Sequence, residues 1–374
     1  MTQSKTPAAQ VTAEKLQVVT PDIPKVPDEI VDTSGRPIFG LFEGVPARFD
    51  YANLQPPFAR NRVTSFLRHK RWMYFFLATD EVIVTAAIAD AGLTGTTFVM
   101  VTDRATGEVL ADMSRPGATG PFVSIGDQPT DGHRSHYALP GSLVTIRGNE
   151  EELRLQAKFH DLPFVPLLSD TAVDLDVRFV TDIHPGLTAV AEIQGHDLCT
   201  ATTKNAALPT RGQLTIRHNA LTQIFDLSVG FGGFDYTNGF LPHQTAWRWA
   251  FATGKLHDQR TFALNLVADF TGLNEAAQEN SVWLHGVLHP VDPTATMTFD
   301  EQNPNKIWHI VTADGAVNLE FRPLAIHREN LNIGLIRSKF LQPTGHFFGS
   351  ISVDGERLDI DGLPGVVEDQ DVRW

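Results

Sequence analysis

Apolar residues in this chain recur at every second position, and that spacing, which puts them on one face of a strand, constrains the fold more than any other feature. The clearest runs are Val173, Leu175, Val177 and Phe179, alternating with Asp174, Asp176 and Arg178, and Val317, Leu319 and Phe321, alternating with Asn318 and Glu320. Each such strand has one dry and one wet face. No long stretch carries the three-to-four spacing of an amphipathic helix, and only short helices are expected, around Ala59 to Leu67 and Asn274 to Glu279. Turn signals separate the runs: Arg104-Ala105-Thr106-Gly107, Gly148-Asn149-Glu150-Glu151, Asp314-Gly315 and Asp354-Gly355, each between apolar residues that pair as hairpins. Many short antiparallel strands must hide their edges by closing or stacking. The expected fold class is therefore all-β: two antiparallel β-barrels, or strongly curved sheets, packed together, with few short helices.

The chain has 374 residues, beyond the roughly 250–300 at which a single core stops growing, so two cores are expected. Residues 1–28 are polar and Pro-containing, without periodic apolar positions, and read as a disordered arm. Two stretches interrupt the pattern, Leu162-Pro163-Phe164-Val165-Pro166 and Thr202 to Gly212; the second suggests domains at 29–205 and 206–374. The net charge of −14 opposes binding to phosphate backbones, and nucleic acid is not an expected partner. One cysteine, Cys199, cannot pair within the chain; it reads as a small buried apolar residue, and a chain this long without bridges suits a reducing, cytoplasmic setting. Met1 to Lys15 lacks the apolar centre of an export signal. The most apolar window, Val82 to Leu93, is broken by Asp90 and falls short of the ~20 residues that span a bilayer, so no transmembrane segment is expected. The 14 histidines form no tight ligand cluster, since His133 and His136 lie in a loop and His285 and His289 are four apart in a strand; neither metal nor cofactor is expected.

In a barrel, inward side chains either fill the core or line a cavity, so polar and aromatic residues within apolar strands mark candidate sites. They are densest between 226 and 286. Gly230, Gly232 and Gly233 precede Asp235 and are expected to permit a bend or a close backbone approach there. Trp247 and Trp249 share one strand face, with Arg248 on the other. Asn265 interrupts Phe262 to Val267, and Glu279-Asn280 stands before Val282-Trp283-Leu284-His285. Buried, such groups must be hydrogen-bonded, because an unpaired one costs about 1–3 kcal/mol. Two readings follow. In one, a structural network ties irregular backbone and the tryptophans fill the core. In the other, a cavity takes a hydrophobic small molecule, with Asp235 and Glu279 as candidate general acids raised in pKa by burial, and Trp247, Trp249, Asn265, Asn280, Tyr236, Trp283 and His285 as candidate ligand-binding residues.

The succession Gly233-Phe234-Asp235-Tyr236-Thr237-Asn238-Gly239, Trp247-Arg248-Trp249-Ala250, Leu264-Asn265-Leu266, Glu279-Asn280, Trp308, Phe321-Arg322-Pro323, Gly345-His346-Phe347-Phe348-Gly349 and a closing Gly365, Glu368 and Trp374 resembles the bacterial family called domain of unknown function 2804, over about residues 30 to 374. That family is distantly similar to hydroxyneurosporene synthase (carotenoid hydratase) and tocopherol cyclase. The resemblance implies two lipocalin-like barrels around an apolar cavity, and hydration, isomerisation or cyclisation of an isoprenoid, polyketide or lipid-like molecule. It also sets Asp235, Trp247 and Trp249 in the region where the hydratases place their acid and aromatic residues. The His-rich sequence that precedes that region in the hydratases is replaced here by Phe234-Asp235-Tyr236-Thr237, so the reaction does not carry over with the fold. A non-catalytic lipid carrier and a structural protein with filled barrels are the alternatives.

Overall fold

The computed structural model describes residues 23–161, 171–273, 279–292, 294–334 and 336–374. Most of the expected N-terminal arm, the Pro-rich stretch after Asp161 and the second expected helix fall outside them, apart from Glu279. The first expected helix is present as α1 (Arg62–Arg68), where the Asn61 side chain accepts a hydrogen bond from the Thr64 amide at 2.9 Å and so satisfies one of the free donors of the first turn.

Strands make up the rest of the regular structure. The first sheet contains β1 (Gly40–Glu43), β2 (His69–Ala78), β3 (Val82–Asp90), β4 (Thr94–Asp103), β5 (Val109–Ala118), β6 (Val123–Ser124) and β7 (Arg134–Leu139). It continues with β8 (Ser142–Gly148), β9 (Glu152–His160), β10 (Thr171–Val180), β11 (Leu187–Ile193), β12 (Leu198–His218), β13 (Leu221–Asp226) and β14 (Phe231–Phe240). The second contains β15 (Gln244–Lys255), β16 (Thr261–Ala268), β17 (Ser281–Leu284), β18 (Val287–Pro290), β19 (Ala295–Thr298), β20 (Trp308–Thr312), β21 (Val317–Ile333), β22 (Ile336–Val353) and β23 (Glu356–Arg373). The four turn signals sit at the β4–β5, β8–β9, β20–β21 and β22–β23 hairpins.

The main path of the first sheet runs β5-β4-β3-β2-β14-β12-β10-β9-β8-β7-β6. Its two ends meet where the Tyr137 hydroxyl of β7 donates to the Arg115 carbonyl of β5 at 2.6 Å, which makes a nearly closed barrel. The second sheet, ordered β18-β17-β16-β15-β23-β22-β21-β20-β19, is a half-barrel. In each, a long strand near its start in the chain pairs with its last one, β2 with β14 and β15 with β23. The change of sheet comes at 241–243; the expected boundary near 205 lies inside β12, which belongs wholly to the first sheet.

Three cores follow from the alternation of side chains along these strands. Met73, Phe75 and Leu77 of β2 point into the first sheet with Phe179, Phe234 and Tyr236. Ala250 and Ala252 of β15 point into the second, with Trp308, Leu319 and Phe347. The opposite faces of β2 and β15 meet each other, so Tyr74 and Phe76 pack near Trp249, Phe251 and Val366. Each large side chain buried there contributes roughly 1.5–3 kcal/mol. The facing strands carry matched aromatic rows, Trp72, Tyr74 and Phe76 against Trp247, Trp249 and Phe251, and the rings of Phe76 and Phe251 lie 5.7 Å apart.

The irregularity expected at Asp235 lies instead on the neighbouring strand. Asp235 sits in regular β14, opposite Lys204 on one side and Tyr74 on the other, whereas β12 bulges between Asn205 and Leu208, with Ala207 at a φ of 57°. Gly233 serves close approach: a Cβ there would lie 2.5 Å from the Asn205 carbonyl and 2.6 Å from the Phe251 ring. Gly233→Ala is therefore expected to lower stability by about 1–3 kcal/mol, because backbone on one side and a packed ring on the other leave no room to relax. A urea midpoint that stays put in the variant would contradict this packing. Cys199 is buried and its thiol is pushed up to about 12, chiefly by burial, which leaves little thiolate for reaction. No helix among the described residues is long and apolar enough to cross a membrane.

Candidate functional site

Each sheet packs a cluster of buried apolar side chains against one face, and a cavity lies between the sheets, where the faces of β2, β12 and β14 look across at β15, β22 and β23. It was expected inside a barrel. About 180 Å³ is open to the centres of water-sized atoms, against the ~10–15 Å³ that one water needs on that measure, so it has room for roughly a dozen such groups. Half-buried Trp72, Thr96, Trp247, Phe270, Leu273 and Trp374 surround it toward solvent. Buried Tyr74, Lys204, Asp235, Trp249, Glu279 and Glu368 form its floor.

Strand alternation builds that floor. Thr200, Thr202 and Lys204 of β12 share one face, as do Asp235 and Thr237 of β14, and both faces line the cavity. The Lys204 ammonium lies 3.2 Å from Asp235 Oδ2 and 3.4 Å from Glu279 Oε1, and 4.7 Å from the centre of the Trp249 ring. Burial disfavours its charge, but the two carboxylates outweigh that and raise its pKa. Asp235 also accepts from the Trp72 indole at 3.1 Å, from Thr202 at 3.0 Å and from Thr237 at 3.3 Å. Indole and ammonium are donors only, so Asp235 Oδ2 is held as an acceptor.

Two other carboxyls differ from it. Burial pushes Glu279 up to about 7 against the pull of Lys204, and its Oε2 has no partner among the described residues. Burial likewise pushes Glu368 up to about 7, although Gln342 at 3.0 Å and the Trp247 indole at 2.7 Å both donate to it. Both are poised to exchange a proton near neutral pH. Tyr74 adds a buried hydroxyl without a partner among the described residues, its pKa driven well above the usual phenol value by burial and then by Glu368 and Asp235.

The aromatic wall joins the two sheets. Trp72 stacks on Trp247 at 5.6 Å and 13°, and Trp247 stacks in turn on Phe270 at 5.7 Å and 17°. Trp249 meets Tyr74 edge to face at 5.2 Å. As expected from their spacing, Trp247 and Trp249 share the cavity face, while Arg248 points away to Asp369 and Asp269.

Of the candidates read from sequence, Asp235, Glu279, Trp247 and Trp249 come together here. Asn265 and Asn280 stand behind the wall. Asn265 accepts from the Trp249 indole at 2.7 Å and donates to the Glu279 carbonyl at 2.7 Å, so it positions both; Asn280 accepts from the Val267 amide at 2.7 Å. Tyr236, next to Asp235 on the strand, faces the first core instead and donates to the Gly126 carbonyl at 2.6 Å. Trp283 is buried between the sheets but away from the cavity lining, with its indole on the Pro185 carbonyl at 3.0 Å. His285 is exposed in the β17–β18 turn at a φ of 51°. Lys204, Trp72 and Tyr74 were not anticipated, and Glu368 entered the sequence reading only through the family resemblance. No group of His, Cys, Asp and Glu suited to a metal ion occurs among the described residues.

Fold and cavity together define an all-β protein of two packed antiparallel sheets, one a nearly closed barrel and the other a half-barrel, with a chamber between them. The chain belongs to the family described as domain of unknown function (DUF2804), whose model matches residues 22–374. Among solved structures it is similar to CghA with Sch210972, at 11% identity and a TM-score of 0.49, covering 90% of this chain and 99% of that one. It is also similar to kievitone hydratase from Nectria haematococca, at 13% identity and a TM-score of 0.47, covering 93% of this chain and 98% of that one. No curated protein matches it by sequence.

Proposed function

We propose that this protein encloses a hydrophobic small molecule between its two sheets and transfers a proton to it from Glu279, in a hydration, isomerisation or cyclisation. The observation that carries the reading is the pairing of an aromatic cavity with a buried carboxyl whose pKa lies at about 7 and whose second oxygen is unpartnered. In the proposed step the Glu279 O–H bond breaks as a new C–H bond forms at a ligand double bond, leaving a carboxylate and a carbocation. The indole faces of Trp247 and Trp249 stabilise that cation. An internal double bond can first attack the cation, forming a ring and moving the charge to a new carbon; addition of water or loss of a neighbouring proton then quenches the cation, and the proton released returns to Glu279. Lys204 steadies the carboxylate formed. Asp235 anchors Lys204 and Trp72; the proton donor is assigned to Glu279 because Asp235 is ringed by donors.

Native mass spectrometry of the freshly purified full chain is expected to find an apolar molecule retained. In D2O the wild type should place deuterium on carbon in that molecule, and Glu279→Gln should slow this by about 10²–10⁴-fold while retaining the ligand. A second reading, a carrier without chemistry, is favoured by the charge-balanced contact of Lys204 with two carboxylates, which suits a structural role. Equal deuterium uptake in wild type and variant, or none in either, would select it.

A further inference from the structure

The charges around the cavity are unevenly matched. Lys204 is the one cationic side chain lining it among the described residues, and its ammonium is fully engaged by Asp235, Glu279 and the face of Trp249. An ammonium has three donors, so nothing remains to receive the carboxylate or phosphate of a ligand. Glu368 is in the opposite condition. It is 6% exposed, lines the cavity, and has no ion-pair partner among the described residues; its oxygens accept only from the neutral donors Trp247 and Gln342. Aromatic groups stand around it, since Trp249 lies directly across the strand pair and the Trp247 indole touches it. A second acceptor, the unpartnered Oε2 of Glu279, which is 7% exposed, lies in the same lining.

We propose that the ligand is a hydrophobic amine whose ammonium sits against Glu368 and the neighbouring aromatic faces, while its apolar body fills the cavity toward Trp72 and Trp247. A buried carboxylate with no cation in contact is expensive, and a ligand ammonium supplies that charge together with a charge-assisted hydrogen bond and cation–π contact. The same balance turns anionic ligands away. This assignment rests on the cavity being a ligand site and leaves the proton donor at Glu279, with Glu368 as the counter-ion.

Calorimetric titration of the full chain at pH 8 with naphthylmethylamine, the matching neutral naphthylmethanol and anionic naphthoate tests it. The amine is expected to bind about tenfold tighter than the alcohol or better, and naphthoate to show no saturable binding. Between pH 8 and pH 6 the amine's advantage should shrink as Glu368 takes up a proton. In Glu368→Gln the amine should fall to the affinity that the alcohol shows for the same variant, and a cooperative urea transition reports that this variant is folded. If the variant does not fold, the wild-type comparison and its pH dependence carry the test alone. An amine no tighter than the alcohol, or an advantage that survives the substitution, overturns the amine assignment and leaves the hydrophobic-ligand reading standing. Failure of all three probes to bind overturns both.

Discussion

Lys204→Met is expected to lower stability at pH 8 by about 3–5 kcal/mol relative to wild type, the largest effect of any single substitution considered for this molecule. The Lys204 side chain is 4% exposed, and its ammonium is the group that meets both Asp235 at 3.2 Å and Glu279 at 3.4 Å. Met keeps the length and apolar stem of the lysine, so the change removes charge and donors with little loss of packing. What remains is two carboxylates in a buried floor with no countercharge, and breaking a buried ion pair from one side is far more damaging than removing both sides. The deficit should be smaller at pH 5, where Glu279, already raised to about 7, carries its proton and no longer adds a bare charge. Adding Asp235→Asn and Glu279→Gln to the lysine variant should recover much of the loss, since all three groups are then neutral. Urea unfolding at the two pH values reads each of these outcomes. A lysine variant as stable as wild type at both would show that the ammonium and the carboxylates are not in contact.

The same three residues show what the sequence could and could not reveal. Strand β10 was legible because one of its faces is wet: Val173, Leu175, Val177 and Phe179 are buried and the residues between them are half-buried. Strand β2 is covered on both faces, so its run from Met73 to Ala78 shows no alternation, and Trp72 and Tyr74 could not be told from core. Lys204 was hidden differently. Thr202-Thr203-Lys204-Asn205 looks like a polar linker, and only the carboxylates brought to it by β14 and by Glu279 make a buried lysine tolerable there. Glu368 reaches the site through the pairing of Trp249 with β23, a register between segments far apart in the chain. By contrast Trp247 and Trp249 could be placed on one face from their spacing alone, Asp235 stood out as a charge within an apolar strand, and Glu279 as one just before another. Alternation tells which residues share a face. It does not tell which sheet covers that face, and for this reason the cavity was sought inside a barrel and lies between two sheets.

Glu279→Gln together with Glu368→Gln is expected to make the protein more stable than wild type at pH 8, with the gap nearly closed at pH 5. Both carboxyls have a folded pKa of about 7 against an ordinary value of 4.5, chiefly because burial disfavours their charge. A raised folded pKa means that the native state holds the proton longer than the unfolded chain does. The contribution of each group is therefore fully present below about 4.5 and is lost as the pH climbs to about 7. At 1.36 kcal/mol per pKa unit this amounts to on the order of 3 kcal/mol for each carboxyl. The two share Lys204 and Asp235 as neighbours, so their titrations are coupled and the sum is what a measurement reports. The wild-type curve alone would hide the effect. Burial lowers the pKa of His69, His133, His184 and His346, which adds stability as the pH rises toward 6.5 and runs against the carboxyls. For His327 burial works the other way from Asp112 and Glu329, which prevail and raise it to about 9, so its contribution is lost between about 6.5 and 9. All five histidines are present in both proteins, and the difference between variant and wild type, followed by urea unfolding from pH 5 to pH 8, isolates the two glutamates. A difference that stays flat across that range would mean that the carboxyls are solvated, and a floor of solvated carboxyls could neither hold a proton near neutrality nor await a cation.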